Sequence, residues 1–98
     1  MKSLSWLSVA ELELVEALYF YDDKQPGVGR LFLDALREAG ESIRRNPEWW
    51  PVVEPPVRGC RIFPFPYRLL YRELPDRIQI VAVYHSSRLP TGWKNRLN

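Results

Sequence analysis

The residues Phe63-Pro64-Phe65-Pro66-Tyr67-Arg68-Leu69-Leu70-Tyr71-Arg72 predict the strand around which the rest of the fold is arranged. After its last proline Leu69 and Tyr71 alternate with Arg68, Leu70 and Arg72, which is typical of a strand, and we place the strand at residues 67–74. Residues 58–63 and 77–84 predict its two neighbours. Leu74-Pro75-Asp76-Arg77 suits a tight turn, because proline favours the second position. On the last strand we expect Ile78, Ile80 and Ala82 on one face and Gln79, Val81 and Val83 on the other.

Two helices are predicted before these strands. Ser8-Val9-Ala10-Glu11 has the form of a capping box and predicts a first helix that ends near Asp22. Pro26 suits the first turn of a second helix, where a missing N–H costs no hydrogen bond, and that helix should end near Asn46. The short break between them predicts a helical hairpin. In the first helix we expect a buried stripe of Ala10, Leu14, Ala17, Leu18 and Tyr21, with Glu11, Glu13 and Glu16 outside it.

The remaining segments complete an α+β domain. Residues 2–6 predict a short first strand, residues 47–56 an irregular crossing rich in proline, and residues 89–98 a basic tail with one helical turn. The predicted architecture is an N-terminal α-helical hairpin packed on a small, mainly antiparallel β-sheet, in a single domain of residues 1–98. We expect three tryptophans to anchor the irregular segments to the core: Trp49, Trp50 and Trp93.

Composition excludes several classes of protein. Cys60 is the single cysteine among 98 residues, so no intramolecular disulfide is possible, and we expect a small buried hydrophobe in a protein of the reducing cytoplasm. One histidine and scattered carboxylates lack the spacing of metal ligands, so no metal site is expected and no cofactor is indicated. No apolar run approaches the ~20 residues that span a membrane, and the N-terminus lacks a secretory signal.

Charge is distributed unevenly along the chain. Residues 1–57 carry six Lys/Arg against ten Asp/Glu, whereas residues 58–98 carry eight against two. Such a basic half predicts an acidic partner, either nucleic acid or an acidic protein segment. The alternative is that arginines at sheet edges serve solubility and prevent edge pairing. Neighbouring strands should bring four side chains to one exposed cationic surface: Arg61, Arg68, His85 and Arg88.

Short motifs occur in a fixed order along almost the whole chain. They are Ala10-x-x-Glu13-Leu14-x-Glu16-Ala17-x-x-Phe20-Tyr21, Pro26-Gly27-Val28-Gly29-x-x-Phe32-Leu33, Ile43-Arg44-Arg45-Asn46-Pro47, Val57-Arg58, Phe65-Pro66-Tyr67-Arg68-x-x-Tyr71 and Val83-Tyr84-His85-x-x-Arg88-x-Pro90. Together they resemble the RelE/ParE family of bacterial toxins from type II toxin–antitoxin systems. The resemblance implies a compact toxin that a smaller cognate antitoxin neutralises by wrapping over its surface, in a hetero-oligomer.

The resemblance leaves two targets open. RelE-like members cut messenger RNA in the ribosome, whereas ParE-like members poison DNA gyrase, and His85-x-x-Arg88 with a following tail is closer to the ParE-like branch. We therefore favour a toxin that inhibits an essential process by binding gyrase, without catalysis. The residues expected to meet the target or the antitoxin are Arg58, Arg61, Arg68, Arg72, Arg88, Trp93, Lys94 and Arg96.

The alternative is a ribosome-dependent, metal-independent mRNA endoribonuclease. There Arg68 would clamp a phosphate, Arg61 would support it, and His85 would act as acid or base. Four of the residues in this region also have a plain structural interpretation. His85 would bond a backbone carbonyl or pack on Tyr67, Arg88 would pair with Glu13 or Glu16, and Tyr67 and Tyr71 would belong to the core. A third interpretation is a binding module without toxicity.

Overall fold

The computed structural model describes residues 1–89 and 91–97, in which a short strand and two helices precede four further strands. The predicted α+β architecture, a helical hairpin on a mainly antiparallel sheet, is confirmed. A short 3₁₀ helix follows Trp93, where one helical turn was predicted. In chain order the elements are β1 (Leu4–Trp6), α1 (Ser8–Lys24), α2 (Val28–Arg45), β2 (Val52–Glu54), β3 (Val57–Arg61), β4 (Tyr67–Glu73), β5 (Ile78–His85) and the 3₁₀ helix (Lys94–Leu97).

The strands form one sheet in the order β1-β5-β4-β3-β2. β1 runs parallel to β5, and all other neighbours are antiparallel. β2 lies inside the segment that was predicted to be irregular. That prediction was wrong because β2 is an edge strand of three residues, and an edge position tolerates the prolines that flank it at Pro51 and Pro55.

The face of the sheet towards the helices carries the main core. Its buried members from the strands are Cys60, Ile62, Leu69, Tyr71, Ile78, Ile80 and Val83. The predicted alternation on β5 fails after Ile80, since the pairing register with β4 shifts between Leu70 and Tyr71. A bulge of this kind inserts one extra residue and reverses the faces beyond it. Val83 therefore joins the helix side and Ala82 lies on the opposite side.

A second, smaller core covers the opposite face of the sheet, which we call the outer face. The C-terminal tail supplies it: Trp93 is only 1% exposed and packs with Leu70, Val81 and Tyr84. The predicted anchoring by tryptophan therefore holds for Trp93. Trp50 packs against the main core, whereas Trp49 is 76% exposed and anchors nothing, so that part of the prediction was wrong.

Both helices begin differently from the prediction. α1 has no side-chain cap: Leu7 occupies the N-cap position, its carbonyl accepts the N–H groups of Ala10 and Glu11, and its own N–H binds Ile80 in β5. The chain leaving β1 thus sets the start of α1, and the expected capping box does not form. α2 begins at Val28, two residues after Pro26, because Gly27 adopts a left-handed conformation (φ +94°).

The hairpin contains no membrane-spanning element. Neither helix of the described part of the chain combines the length and the apolar composition that crossing a bilayer requires.

Candidate functional site

Two arginines lie directly opposite each other on the outer face of the sheet. Arg61 at the end of β3 is in register with Arg68 near the start of β4. Both side chains are exposed, and neither forms an ion pair with any residue in 1–89 or 91–97. A β-carbon on Gly59 would lie 3.4 Å from Cδ of Arg68, so the aliphatic stem of Arg68 crosses this glycine. The Arg61 guanidinium lies 5.4 Å from the ring centre of Phe63.

Arg88 reaches the same side of the molecule from the segment after β5. Its guanidinium lies 6.0 Å from the ring centre of Tyr84, and its one ion pair is a long contact of 3.4 Å with Glu13. The Arg88 side chain remains 52% exposed. This arginine therefore keeps most of its capacity to bind an anion from solution.

A cavity of about 160 Å³ lies where these elements meet, and we call it the outer-face cavity. Its lining residues include Arg68, His85 and Arg88 among the polar ones and Leu70, Tyr84 and Trp93 among the apolar ones. Of the four residues that the sequence predicts on one surface, Arg68 and Arg88 line this cavity and Arg61 lies beside it through its register with Arg68, whereas the ring of His85 packs on Tyr67.

His85 is oriented by its neighbours at the end of β5. Its Nδ1 accepts a hydrogen bond from the backbone N–H of Ser87 at 3.0 Å and lies 2.7 Å from the Ser87 hydroxyl oxygen. Its ring packs edge-on against Tyr67 with 4.9 Å between ring centres. The predicted packing on Tyr67 is confirmed, and an Nδ1 that accepts leaves Nε2 to carry the proton of the neutral ring.

Three other predicted binding residues form hydrogen bonds or ion pairs within the protein. Arg58 lies on the helix side, where it donates to the backbone carbonyls of Glu48 and Trp50 at 3.1 and 2.7 Å. Arg72 is on the outer face, but its Nε donates to the side chain of Gln79 at 2.8 Å. Lys94 pairs with Glu54 at 2.6 Å in a half-exposed contact. The predicted cationic surface is consequently smaller than the sequence indicates.

Trp93 and Arg96 are not part of an exposed surface. The Trp93 ring is buried in the outer core, and this burial corrects the prediction that Trp93 contacts the target or the antitoxin. Arg96 makes two contacts of 2.8 Å with the carboxylate of Glu13 and donates to the Val81 carbonyl at 3.1 Å. The hydrogen bond to Glu13 raises the pKa of Arg96 above its ordinary value.

Glu13 is the residue that the sequence analysis misplaced. It was expected outside the buried stripe of α1, yet it is only 7% exposed, and it also accepts the N–H of Val83 at 3.1 Å. The signal for this burial is its spacing, three residues after Ala10 and four before Ala17, both of which are buried. A glutamate in that position requires a buried cationic partner.

A second surface is apolar and lies over the helices. A groove of about 930 Å³ runs between β1 and the helical hairpin, with Leu4, Trp6, Leu14, Val15, Leu33 and Leu36 among its lining. The same two helices expose Leu12, Tyr19 and Leu31, each to 60% or more. An apolar groove on helices that also expose large apolar side chains is a candidate site of protein–protein contact.

No metal centre is formed by the described residues. Across residues 1–89 and 91–97, no three His, Cys, Asp or Glu side chains gather closely enough to hold an ion.

Comparison with known proteins identifies one family and one fold. The family model for the ParE toxin of the type II toxin–antitoxin system, parDE, matches residues 4–90. Among solved structures, the chromosomal ParDE TA system from P. aeruginosa is similar with a TM-score of 0.76 and 20% sequence identity, over 87% of this chain and 96% of that one. No curated protein sequence matches the chain significantly.

Proposed function

The chain belongs to the ParE toxin family of type II toxin–antitoxin systems, and from that premise we propose that it arrests growth by binding DNA gyrase through its outer face. Arg61, Arg68 and Arg88 form the contact, which we call the cationic face. A cognate antitoxin holds the toxin inactive in a hetero-oligomer. Both proteins act in the cytoplasm, where the single thiol of Cys60 stays reduced.

The observation that carries this proposal is the Arg61–Arg68 pair. Like charges directly opposite each other on adjacent strands are destabilising. No carboxylate of the described chain relieves the repulsion, so the arrangement contributes nothing favourable to the free toxin. An acidic surface on a target would relieve it, and complementary charge accelerates association and selects the partner.

The antitoxin is proposed to cover the apolar groove over the helices. The groove is large enough for an extended or helical segment, and its apolar lining suits the helix-in-groove and strand-addition modes of peptide recognition. Its rim carries Glu11 and Glu41 as well as Arg37 and Arg44, so charge there is mixed. The cationic face and the groove therefore differ in the chemistry they offer to partners.

Growth and supercoiling measurements test the proposal together. Controlled expression of the wild-type chain should arrest growth, induce the SOS response and block supercoiling by purified gyrase. The double substitution Arg68→Ala, Arg88→Ala should abolish all three while the folded chain remains. The matched control is Arg30→Ala, Arg37→Ala, which removes two exposed cations from α2. Full growth arrest by the outer-face double variant at equal expression would defeat the proposal.

A ribosome-dependent mRNA endoribonuclease is the second candidate function. The observation in its favour is that His85 and Arg68 line one cavity, next to Arg61. Primer extension on cellular transcripts separates the two functions, because cleavage within codons occurs only for a nuclease. His85→Gln should abolish such cleavage, whereas in a gyrase inhibitor transcripts stay intact.

A further inference from the structure

Donor groups dominate the outer-face cavity. Two guanidinium groups line it, those of Arg68 and Arg88, and no carboxylate belongs to its lining in the described part of the chain. Within residues 1–89 and 91–97, Arg68 forms no ion pair, and Arg88 forms only the long contact to Glu13. Glu13 itself is already engaged by Arg96 at 2.8 Å, so it does not neutralise the cavity.

His85 borders the cavity at the end of β5, but its ring packs edge-on against Tyr67 on the helix side of the sheet. The hydroxyl of Tyr84 is directed elsewhere, because it donates to the carbonyl of Leu89. Among the described residues, the charged side chains that line the cavity are therefore the two guanidinium groups, with no carboxylate beside them.

A buried donor in the lining lacks any acceptor. The indole N–H of Trp93 is buried and has no hydrogen-bond partner among the described residues, although the rest of the ring is well packed. Nearly all buried donors in folded proteins are satisfied, and leaving one unsatisfied is costly. An acceptor that enters the cavity from outside would supply what Trp93 lacks.

We propose that the outer-face cavity binds the carboxylate of an aspartate or glutamate side chain that a protein partner inserts. Arg68 and Arg88 neutralise the charge, and the indole N–H of Trp93 donates a further hydrogen bond. The methylene groups of the inserted side chain contact Leu70 and Val53 in the lining. This inference rests on the proposed function in one respect, namely that the outer face meets a protein.

The shape of the cavity favours a protein carboxylate over a nucleic-acid phosphate. Recognition of single-stranded nucleic acid relies on exposed aromatic rings on which bases stack. Tyr84 and Trp93 are buried in the outer core, and neither ring presents a free face to a base. A short carboxylate on an apolar stem matches a small cavity with an apolar wall and polar rim.

Two singly charged probes test the proposal on the isolated full-length chain. N-acetylglutamate N-methylamide represents the protein carboxylate, and dimethyl phosphate represents the nucleic-acid backbone. The indole N–H resonance of Trp93 is followed by ¹⁵N-resolved NMR and identified by its loss in Trp93→Phe. We expect a saturable shift with the glutamate probe at millimolar concentrations and at least fivefold weaker binding of dimethyl phosphate.

Substitutions establish that the response comes from this cavity. Arg68→Gln should weaken binding of the glutamate probe at least tenfold, whereas Arg30→Gln, which removes an exposed cation on α2 outside both proposed contact surfaces, should leave it unchanged. N-acetylglutamine N-methylamide, which lacks the charge, should give no saturable shift. Equal binding by wild type and Arg68→Gln, an unmoved Trp93 resonance, or tighter binding of dimethyl phosphate would each overturn the inference.

The titration requires neither gyrase nor toxicity. A chain that binds the glutamate probe yet fails to inhibit gyrase would reject the proposed target and leave the carboxylate site standing. A toxic chain that inhibits gyrase without binding the probe would overturn the carboxylate site alone.

Discussion

Glu13 and Arg96 form a double ion pair across the open edge of β5. Each terminal nitrogen of Arg96 lies 2.8 Å from one carboxylate oxygen. β1 covers β5 only as far as Ile80, and beyond it Glu13 accepts the N–H of Val83 while Arg96 donates to the carbonyl of Val81. The ion pair thus satisfies backbone groups that a longer β1 would have satisfied, and it attaches the C-terminal tail to α1.

Arg96→Ala should lower the free energy of unfolding by about 3 kcal/mol, because it leaves a buried carboxylate without its partner. Arg88, already 3.4 Å from Glu13, can approach and recover part of that loss, so the cost should stay below about 5 kcal/mol. Urea unfolding gives the value directly. Lys94→Ala, which breaks a half-exposed pair with Glu54, should cost less than about 1 kcal/mol. Equal costs for the two variants would contradict the role of the buried pair.

The contact between Arg88 and Glu13 also predicts an effect of Arg96→Ala on the cationic face. If Arg88 moves towards Glu13 in Arg96→Ala, it leaves the outer-face cavity, and toxicity should fall more than the loss of stability explains. Arg96→Lys keeps a cation beside Glu13 and should restore toxicity partly. Growth arrest is measured for wild type, Arg96→Lys and Arg96→Ala at equal levels of folded protein, and toxicity should decrease in that order. Full toxicity of Arg96→Ala would show that the position of Arg88 does not depend on Arg96.

The start of α2 depends on a contact between the two helices. The carboxylate of Asp22 near the end of α1 accepts the N–H of Gly29 at 2.8 Å. Asp22→Ala should cost about 1 kcal/mol, the usual value for a lost helix cap. Gly29→Ala should cost more, because its β-carbon would lie 2.8 Å from the Leu18 carbonyl oxygen, which belongs to the backbone and has little freedom to move. Asp23→Ala, one residue from Asp22, serves as the control in thermal unfolding and should have little effect.

Periodicity was enough to predict the elements and their order, because each helix and strand buries a face that its own sequence marks. It was not enough where the structure depends on contacts between distant segments. The burial of Glu13 follows from a partner 83 residues away, and the reversal of faces on β5 follows from a bulge opposite Leu70. The spacing of Glu13 on α1 marks its position as buried, but neither the partner of Glu13 nor the bulge on β5 leaves a local pattern in the sequence.

The candidate site was predicted only in part, again because some of its features depend on contacts between distant segments. Register between predicted neighbours brings Arg61 and Arg68 together, and the end of β5 supplies His85 and Arg88. The number of cations after position 57 does not reveal which of them form hydrogen bonds or ion pairs within the protein. Arg58 is bound by backbone carbonyls and Arg96 by a buried carboxylate, and both contacts exist only in the folded chain.

Alkaline pH should destabilise the protein through Cys60. Burial raises the pKa of this thiol from 9.0 to about 11, so above pH 9 the unfolded chain loses a proton that the folded chain keeps. Below pH 9 the Cys60 thiol leaves the free energy of unfolding unchanged. As the pH rises towards 11, the free energy of unfolding falls by about 2 to 3 kcal/mol at most. Urea unfolding between pH 8 and 11 measures the slope. Cys60→Ala lacks the titrating thiol and should show a shallower decline of stability with pH; an unchanged slope would contradict the role of Cys60.

The Arg61–Arg68 pair predicts that one substitution raises stability and lowers toxicity together. Arg68→Gln removes the like-charge repulsion and should stabilise the chain by up to about 1 kcal/mol at low ionic strength. Because exposed charges are screened over about 10 Å at 0.1 M salt, the gain should shrink as salt is added. Wild type, in turn, should gain stability with salt more steeply than the variant.

Arg37→Gln is the control for this last prediction, since it removes an exposed cation that faces no other arginine across a strand pair. Its stability should follow that of wild type at every salt concentration, and its toxicity should be unchanged. Binding residues are often retained at a cost to stability, so a stabilised but harmless Arg68→Gln chain is the result expected of a target contact. A destabilised Arg68→Gln chain would instead indicate that Arg68 supports the fold, and its loss of toxicity would then carry no information about the target.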